Sequence, residues 1–487
     1  MDMDIAHRDY LLATLHTFLG VATLLLCVLA ELFIFAFRCR AALYLLPVAA
    51  QLLFNRFRSR AAAATEDIGL VDFSCLKPPR RLRLPVAGLL EHLRLIGCFD
   101  DGSVEFMAKV IEASGMGNET YFPPSLHYIP PAATHADAIQ EARMLFFPTL
   151  DDLFAKTGVP PSRVGALVVN CSGFCPAPSL AAIIASRYRM RADVRTFNLS
   201  GMGCAAGVVG VDVARRLLLT HSISYAVVVS AEIVTVGWYS GKDQGKLLLN
   251  CYFRTGCSAA LVTNSTATVP VKYRLASLTR TNQIANDRSY RSGYRDEDDE
   301  GITGFTLGQG VGRMVSELLR AHLVTLSLSI LPWREKLRYA LALLLSSRSR
   351  RRRLAGGGDN KLARPAVPVP LPDFREAADH FCLPSSGRPM ILRLGQGLGL
   401  GEREMEAALM TFHRFGNQSA ASLWYQLAYL EAKGRVRAGD TVWQLGIGSG
   451  LKANSLVWER VAGHEDEGER ELGPWKDCIH RYPVKET

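Results

Sequence analysis

The segment FNLSGMGCAAGVVGVDVARRLL, residues 197–218, contains a cysteine that could act as a nucleophile. Cys204 follows a glycine-rich turn and precedes a run of small residues typical of a helix start. A thiol at a helix N-terminus faces the positive end of the helix dipole, which predicts a lowered pKa and a reactive thiolate. The same pattern fits a small buried residue at a tightly packed turn, because buried free cysteines are common. The segment alone leaves both interpretations open.

A second segment, FHRFGNQSAASLWYQLAYLEAKGR, places a histidine and an asparagine just before a small-residue helix. Asn417 could donate an amide N–H to a developing oxyanion, and His413 could orient it. A histidine between two aromatic residues is equally typical of a hydrogen-bonded structural position, so both roles of His413 stay open.

A third segment, TVWQLGIGSGLKAN, predicts a strand followed by a glycine loop that contains Gly446, Gly448 and Gly450. A glycine pattern by itself is weak support for a nucleotide site, and no acidic residue follows at the offset that a dinucleotide site requires. We expect this loop to line an acyl-enzyme pocket. No cofactor is expected. Cys171 and Cys175 lack a second ligand pair, so no metal site is expected either.

The elements that must position these residues alternate between short apolar runs and longer helical patterns. Buried strands are predicted at 164–171, 192–199, 224–232, 257–264 and 440–448. Helices are predicted between them, among them SLAAIIASRY, GVVGVDVARRLLLTH and SLWYQLAYLEAKGR. Such alternation predicts an α/β fold with helices packed against largely buried sheets.

The N-terminal part has the composition of a membrane region. Residues 10–30 carry no charged side chain except for a possible charge on His16, and a spanning helix needs roughly 20 residues. A second apolar run covers 41–54 but is short for a span, so one or two spans remain possible. Five arginines follow within 38–60, which places the rest of the chain in the cytosol by the positive-inside rule.

The net charge indicates the kind of partner, and the cysteine content indicates the redox environment. The 487-residue chain has a formal net charge of +10, which favours an anionic partner. Nothing in the sequence resembles a nucleic-acid module, so a phosphate-bearing metabolite or a lipid headgroup is the expected partner. The eleven cysteines are scattered and do not form a small disulfide framework, which indicates reduced thiols in a cytosolic environment.

Taken together, these motifs resemble a known family. NLSGMGCAAG, RFGNQSAAS and GIGSG are similar to the thiolase superfamily. With VDFSCLKPP, LPDFREAADHFC, FHRFGN and the apolar N-terminus, the chain resembles plant 3-ketoacyl-CoA synthases, the condensing enzymes of very-long-chain fatty acid elongation. The resemblance runs from about residue 10 to 463.

The resemblance implies a decarboxylative Claisen condensation of malonyl-CoA with a long-chain acyl-CoA. Cys204 would accept the acyl group, and Asn417 together with a histidine, His413 or His380, would stabilise the enolate oxygen. It also implies a homodimer in the endoplasmic reticulum membrane, with the catalytic part facing the cytosol. The other elongase components, a ketoacyl reductase, a dehydratase and an enoyl reductase, would be its partners.

The resemblance further implies a five-layered α/β/α/β/α sandwich of two similar βαβαβαββ halves. The expected organisation is an anchor at 1–65 and a first half at 66–270. The remainder of that half with a flexible basic connection would occupy 271–365, the second half 366–463, and a loose charged tail 464–487.

Three positions depart from the family pattern. Pro384 stands where the family has a catalytic histidine, and proline offers neither a titratable group nor a backbone N–H. Asn282 and Glu404 also stand where the family usually has histidines. Three interpretations stay open: a slowed condensing enzyme, a chain that acylates Cys204 but condenses poorly and modulates other elongase components, and a non-catalytic paralogue.

Overall fold

A nine-stranded mixed β-sheet is the central element of the fold. The computed structural model describes residues 20–31, 68–266, 268–308, 310–342, 371–461 and 473–484. The strands are β1 Gly69–Cys75, β2 Ala166–Asn170, β3 Arg195–Leu199, β4 Tyr225–Ala231, β5 Cys257–Thr263, β6 Tyr273–Asn282, β7 Gly293–Glu297, β8 Thr303–Leu307, β9 His380–Cys382, β10 Thr441–Gly448 and β11 Lys452–Arg460.

The helices with well-defined bounds connect these strands. They are α1 Val86–Leu95, α2 Asp101–Ala113, α3 His135–Thr157, α4 Leu180–Arg187, α5 Ala206–Thr220, α6 Gln244–Tyr252, α7 Asp287–Tyr290, α8 Val311–Ile330, α9 Arg388–Gly397, α10 Glu402–Phe415 and α11 Ser422–Ala432. Residues 20–31 and 333–342 are also helical.

The large sheet consists of two halves with the same pattern of strand directions. Its order is β3-β2-β4-β5-β1-β6-β11-β10-β9, while β7 and β8 form a separate hairpin. From the centre outward, β1, β5 and β4 are antiparallel and β4 is parallel to β2. In the other direction, β6, β11 and β10 are antiparallel and β10 is parallel to β9. The halves join through only two residue pairs between β1 and β6, which supports the predicted internal repeat.

Both faces of the first half-sheet are buried except at its edge strand β3, which is mostly exposed. Along β2, Ala166 and Val168 belong to one apolar cluster and Leu167 and Val169 to another, because successive side chains of a strand point to opposite faces. Helix α3 packs on the second face, where Leu145 and Leu150 are fully buried. The first face meets α5 and α11, whose side chains join the same cluster.

Helices α5 and α11 occupy the space between the half-sheets. Ten of the eleven residues of α11 are buried, as are the first seven residues of α5, Ala206–Asp212, so neither stretch shows the polar face of a surface helix. Val442 of β10 and Trp458 of β11 belong to the same cluster, which brings the second half-sheet against these helices. This burial explains why the sequences of the two helices consist mainly of apolar and small residues.

The α/β prediction is confirmed, and all five predicted strands are present as β2, β3, β4, β5 and β10. The predicted burial is wrong for β3, because it lies at the edge of the sheet and is mostly exposed. The predicted boundary between the halves is wrong. Strand β6 pairs with β11 along Tyr273–Asn282, so the second half-sheet begins near residue 273 and not at 366. No local sequence pattern predicts the pairing of β6 with β11, because the two strands are about 180 residues apart along the chain.

The charged-tail prediction is wrong for residues 473–484. Trp475 and Cys478 are fully buried there, and the Trp475 indole donates a hydrogen bond to the Tyr425 carbonyl at 3.1 Å. The ring of Trp475 also contacts Phe415, Tyr429 and Tyr482. Hydrophobic burial holds this segment against α10 and α11 although its composition is charged.

The chain divides into two compact units. The larger comprises Ile68–His322 and Ala378–Thr487 and contains the nine-stranded sheet. The smaller comprises Met1–Asp67 and Leu323–Ala377. Within the described part of the smaller unit, the Glu335 carboxylate accepts hydrogen bonds from the Asp373 backbone N–H at 2.9 Å and from Arg338 at 2.6 Å.

Several predictions fall on residues outside the described ranges. These include most of the anchor at 1–65, the apolar run at 41–54 and the basic connection between 343 and 370. Of the first predicted span, residues 20–31 are described, and the side chains of Val21, Leu25, Leu26 and Leu29 are more than half exposed. Within the described ranges, none of the helices combines the length and apolarity that crossing a bilayer requires.

Replacing Trp475 by alanine should destabilise the larger unit, because the change removes a fully buried indole and its hydrogen bond. We expect a loss of about 3–5 kcal/mol of unfolding free energy. Denaturant unfolding of the purified chain, followed by near-UV circular dichroism, measures it. Trp333→Ala is the matched control, since Trp333 is 66% exposed. Equal effects of the two substitutions would contradict the packed position of Trp475.

Candidate functional site

Cys204 lies in a single helical turn, Gly203–Ala205, between β3 and α5. Gly201 and Gly203 have φ angles of 67° and 60°, which favour glycine because a Cβ atom is disfavoured there. The Ser172 hydroxyl accepts a hydrogen bond from the Gly203 N–H at 2.9 Å, and the Ser172 carbonyl accepts one from the Gly201 N–H at 3.2 Å. The loop after β2 therefore fixes the turn that presents the cysteine.

The prediction of a lowered pKa for Cys204 is wrong. The pKa of the half-buried thiol is raised to about 11, mainly by burial and also by the negative charge of Glu232. Hydrogen bonds from Ser419 and Asn417 oppose this shift but do not overcome it. Removal of water from a charged group outweighs the short helical turn that precedes α5.

Asn417 lies beside Cys204, as the resemblance implied. Its backbone is held on both sides, because its N–H donates to the Tyr252 carbonyl at 3.0 Å and its carbonyl accepts from the Arg254 N–H at 2.9 Å. The side-chain oxygen accepts the Ser419 N–H at 2.7 Å. With that oxygen engaged, the amide nitrogen is the atom available to donate to a negatively charged oxygen near Cys204.

The glycine loop packs directly on the nucleophile turn. A Cβ atom on Gly448 would lie 2.2 Å from the Met202 carbonyl oxygen, and one on Gly446 would lie 3.1 Å from the Ala205 Cα. Gly450, with φ 64°, belongs to the turn between β10 and β11 and lines the adjoining cavity. The loop therefore borders the site as predicted, and the first two glycines permit backbone contact with the turn.

The two candidate histidines make their contacts elsewhere. His413 places its Nδ1 atom 3.1 Å from the Tyr482 hydroxyl and packs on Gly117, and burial lowers its pKa. His380, at the start of β9, bonds the Asp440 carboxylate at 2.9 Å. His413 does not orient Asn417, whose side-chain oxygen is held by Ser419. Both histidines therefore have structural contacts that the sequence interpretation had left open.

Two of the positions that depart from the family pattern lie at strand ends, and the third, Glu404, lies in the first turn of α10. Pro384 is buried two residues after β9, where Gln426 of α11 accepts the Leu383 N–H at 2.7 Å and also bonds the Leu383 carbonyl. Asn282 is exposed at the end of β6, opposite Lys452 of β11. The strand that would carry the missing histidine is thus held firmly in place by α11.

Sequence analysis missed two polar residues at the site, Ser419 and Glu232. Burial raises the pKa of Cys204 and of Glu232, and the Ser419 side chain lowers both. Glu232 also accepts the N–H groups of Gly173 at 2.7 Å and Ser172 at 3.2 Å. The one local signal was a carboxylate directly after the apolar strand SYAVVVSA, since strand ends in α/β proteins carry functional residues.

A cavity of about 340 Å³ opens beside this cluster. Its apolar lining includes Phe122, Trp238, Leu249, Phe253 and Phe305, and its polar end includes Ser172, Glu232 and Ser449. The β7–β8 hairpin contributes Tyr294, Arg295, Thr303, Gly304 and Phe305 to the wall. The volume and the few convergent polar groups are typical of a small-molecule site.

The described groups at the site are a thiol, an amide, a hydroxyl and a carboxylate. Among the described residues, no group of three or more potential metal ligands comes together. The Cys171 thiol lies 3.5 Å from a Glu232 carboxylate oxygen, so the loop after β2 lies near the nucleophile as expected. The arrangement suits covalent capture of an electrophilic carbonyl carbon by Cys204, with Asn417 donating to the resulting oxyanion.

Comparisons with known proteins agree with this chemistry. Residues 60–348 match the model of the FAE1/type III polyketide synthase-like proteins. Residues 375–460 match the C-terminal model of 3-oxoacyl-[acyl-carrier-protein] synthase III. The first match contains Cys204 and the second contains Asn417.

Curated relatives and solved structures extend the likeness. 3-Ketoacyl-CoA synthase 4 of Arabidopsis thaliana is 44% identical over 85% of this chain and 77% of that protein. 3-Ketoacyl-CoA synthase 6 of the same plant is 43% identical over 86% of this chain and 81% of that protein. Tetrahydroxynaphthalene synthase of Streptomyces coelicolor, a type III polyketide synthase, shares the fold with a TM-score of 0.59 at 16% identity, covering 81% of this chain and 100% of that one.

Gly448→Ala should disable the nucleophile turn, because the new Cβ would overlap the Met202 carbonyl and displace Cys204. We expect the rate at which iodoacetamide alkylates Cys204 to fall by about 10²-fold, because a misplacement of roughly 1 Å has an effect of that size. Mass spectrometry of the Cys204 peptide measures it. Gly397→Ala is the control, since a Cβ there meets nothing within 4 Å. Unchanged alkylation in Gly448→Ala would show that the loop does not constrain the turn.

Proposed function

The chain belongs to the 3-ketoacyl-CoA synthases of the FAE1/type III polyketide synthase-like family, and from this premise we propose how it catalyses the condensing step of very-long-chain fatty acid elongation. The substrates are a long-chain acyl-CoA and malonyl-CoA, and the product is a 3-ketoacyl-CoA. The observation that supports this most directly is that Asn417 acts on the Cys204 thiol, and that Gly201 of the turn carrying Cys204 lines an apolar cavity together with Glu232.

The first half-reaction transfers the acyl group to Cys204. The Cys204 sulfur attacks the thioester carbonyl, the carbonyl oxygen becomes negative, and Asn417 Nδ2 donates a hydrogen bond to it. When the intermediate collapses, the bond to the CoA sulfur breaks. CoA leaves as a thiol once it regains a proton, and Cys204 is left as a thioester.

The second half-reaction forms the new carbon–carbon bond. Malonyl-CoA loses CO₂, and the electrons of the broken bond form an enolate whose oxygen accepts the hydrogen bond from Asn417. The enolate carbon attacks the Cys204 thioester, and the Cys204 sulfur departs with its electron pair. Because one donor serves both oxyanions, a single well-placed amide can support both steps.

Features outside the nucleophile suit these substrates. The aromatic and aliphatic lining of the cavity suits the apolar acyl portion, since burial of such surface is favourable in water. The net charge of +10 suits the phosphates of two CoA thioesters. Chain length and unsaturation would depend on how the cavity walls pack around the acyl group.

We further infer the wider architecture that the resemblance implies. Support for a five-layered α/β/α/β/α order comes from α3 on one half-sheet, α5 and α11 between the halves, and the His322 side chain of α8 bonded to Ser455 of β11. A homodimer and contact with the other elongase enzymes belong to the same proposal.

Attachment to the endoplasmic reticulum membrane, with the catalytic part facing the cytosol, is also proposed. Support comes from the uncharged run at 10–30, from the arginines within 38–60, and from the exposed leucines of the helix at 20–31. A membrane-held enzyme suits acyl chains too apolar to travel through water.

A second candidate function rests on Pro384. A proline in place of the family histidine removes a donor and a base, so the chain could be a catalytically impaired paralogue that modulates other elongase components. The presence of both Cys204 and Asn417 favours the enzyme. Losing one oxyanion donor slows a reaction by about 10²–10³-fold and does not abolish it.

Condensation in microsomes separates the two candidates. Radiolabelled malonyl-CoA with a panel of acyl-CoAs should give 3-ketoacyl product with the wild type and none above background with Cys204→Ala, because the acyl group then has no acceptor. Pro384→His should raise the rate by about 10²-fold by restoring a donor.

The control is expression of each variant at equal level in the same membranes. No product from the wild type, together with product from Pro384→His, would contradict condensation and favour the impaired paralogue.

A further inference from the structure

Arg254 is a buried cation that neither half-reaction uses. It comes two residues after the end of α6, and only 1% of its surface is exposed. Burial lowers its pKa to about 9, and no carboxylate is among the described groups that shift this pKa. Removing a charge from water is costly unless other bonds compensate. The bonds that Arg254 makes therefore indicate why the fold retains it.

The Arg254 guanidinium bonds the backbone at the end of α6. Its Nη1 donates to the Asn250 carbonyl at 3.1 Å and to the Phe253 carbonyl at 2.6 Å, and its Nε donates to the Thr120 hydroxyl at 3.2 Å. Carbonyls in the last turn of a helix lack a helical partner, and a cation beside them is favourable. The guanidinium carbon also lies 4.6 Å from the centre of the Phe122 ring. The side chain thus fixes the chain just after α6.

The segment that Arg254 fixes also holds Asn417. The Asn417 N–H donates to the Tyr252 carbonyl at 3.0 Å, and the Arg254 N–H donates to the Asn417 carbonyl at 2.9 Å. These two bonds form a parallel bridge between Phe253 and Asn417, the pairing that neighbouring strands make. Gly416 packs on the same side chain, because a Cβ atom on it would lie 2.4 Å from the Arg254 Cγ atom. The position of the Asn417 backbone therefore depends on Arg254.

Asn417 begins the stretch that packs on the nucleophile turn. Its side-chain oxygen accepts the Ser419 N–H at 2.7 Å, which fixes the direction of the amide. The helical turn Ser419–Ala421 then contacts the turn that carries Cys204. Because these contacts share one backbone, a displacement at Arg254 would move the Asn417 amide relative to the Cys204 sulfur.

We propose that Arg254 is a positioning residue whose guanidinium holds the Asn417 amide where it can donate to the oxyanion. Arg254 is not among the described residues that line the cavity, so it acts through Asn417 and not on the substrate. With Pro384 at the family histidine position, Asn417 has no histidine there to share the oxyanion, so its placement controls both half-reactions. The effect on rate rests on the proposed function, whereas the placement of Asn417 can be measured without it.

The test is a double-mutant cycle in the purified full chain. Arg254→Met keeps an apolar stem and loses the guanidinium bonds, whereas Asn417→Ala loses the amide and keeps the backbone. Acylation of Cys204 by stearoyl-CoA, followed by intact mass, gives the rate for each variant. Arg254→Met alone should lower the rate at saturating acyl-CoA by about 10²-fold, because a misplacement of roughly 1 Å has an effect of that size. The half-saturating concentration should stay the same, since Arg254 does not touch the substrate.

The effect of Arg254→Met in the Asn417→Ala background distinguishes positioning from other roles. Residues that act as a unit give non-additive losses, so the double variant should be no more than about 3-fold slower than Asn417→Ala. A further loss of about 10²-fold would overturn the proposal, because Arg254 would then act through its charge or through general stability and not through the amide.

Thr120→Val keeps the test valid if Arg254→Met does not fold. The substitution removes only the acceptor of the Arg254 Nε bond. We expect acylation to be about 5-fold slower, because one hydrogen bond of the guanidinium is lost. This loss should also disappear in the Asn417→Ala background. A Thr120→Val rate equal to that of the wild type, or a loss that persists without the amide, would overturn the proposal.

Arg414→Met is the matched control. Arg414 is another fully buried arginine close to Asn417 in sequence, but its guanidinium bonds the Tyr121 hydroxyl at 2.8 Å and pairs with the Glu119 carboxylate at 3.2 Å. Its variant should acylate within about 3-fold of the wild type. A 10²-fold loss that disappears in Asn417→Ala would show that any buried arginine nearby has this effect, and would overturn the assignment to Arg254.

Hydrogen exchange measures the placement of Asn417 without acyl transfer. Arg254→Met should speed exchange of the Asn417 backbone N–H by about 10-fold, because the segment that accepts its hydrogen bond is loosened by about one bond. Mass spectrometry of the peptide that contains Asn417 measures it, and unchanged exchange would overturn the proposal. A wild type that is not acylated, together with faster exchange in Arg254→Met, contradicts the proposed function and supports the positioning role.

Discussion

The site depends on the contact between the turn that carries Cys204, Gly203–Ala205, and the glycine loop at the end of β10. Gly448 brings β10 so close to Met202 that no side chain fits between them, and Gly203 meets the backbone of Ser449 in the same way. The turn belongs to the first half-sheet and the glycine loop to the second, so the site forms only when the halves are packed together. The buried helices α5 and α11 set that packing, and α11 begins just after Asn417, the residue that faces Cys204.

A second constraint is electrostatic. The site places a thiol and a carboxylate close together with little water, so it can hold one negative charge far more easily than two. In a site with a histidine, a positive ring could offset a thiolate, but here the two histidines considered bond Tyr482 and Asp440 instead. The hydrogen bonds of Ser419 and Asn417 are the stabilising contacts that remain. The nearby Glu232 charge therefore adds to burial in opposing ionisation of Cys204.

Prediction from sequence succeeded where the signal was local. The apolar runs gave β2 to β5 and β10, and short motifs gave the positions of Cys204, Asn417 and the glycine loop. It failed where a residue's role depends on distant partners. His413 has the right spacing to Asn417 along the chain, yet the end of α10 turns its ring toward Tyr482. The terminal segment at 473–484 looked charged, but its Trp475 fits between aromatic rings of α10 and α11.

The sequence by itself determined the α/β class and the family, and it supplied the predictions that Cys204 is the nucleophile and that Pro384 occupies a family histidine position, because residue identity and local spacing carry that information. The pKa of the Cys204 thiol was decided by the tertiary structure alone. The raised pKa of Cys204 follows from how much water the packed halves exclude and from the carboxylate of Glu232, which belongs to a different element. Desolvation and the approach of side chains from separate elements are properties of the packed chain, so no local pattern encodes them.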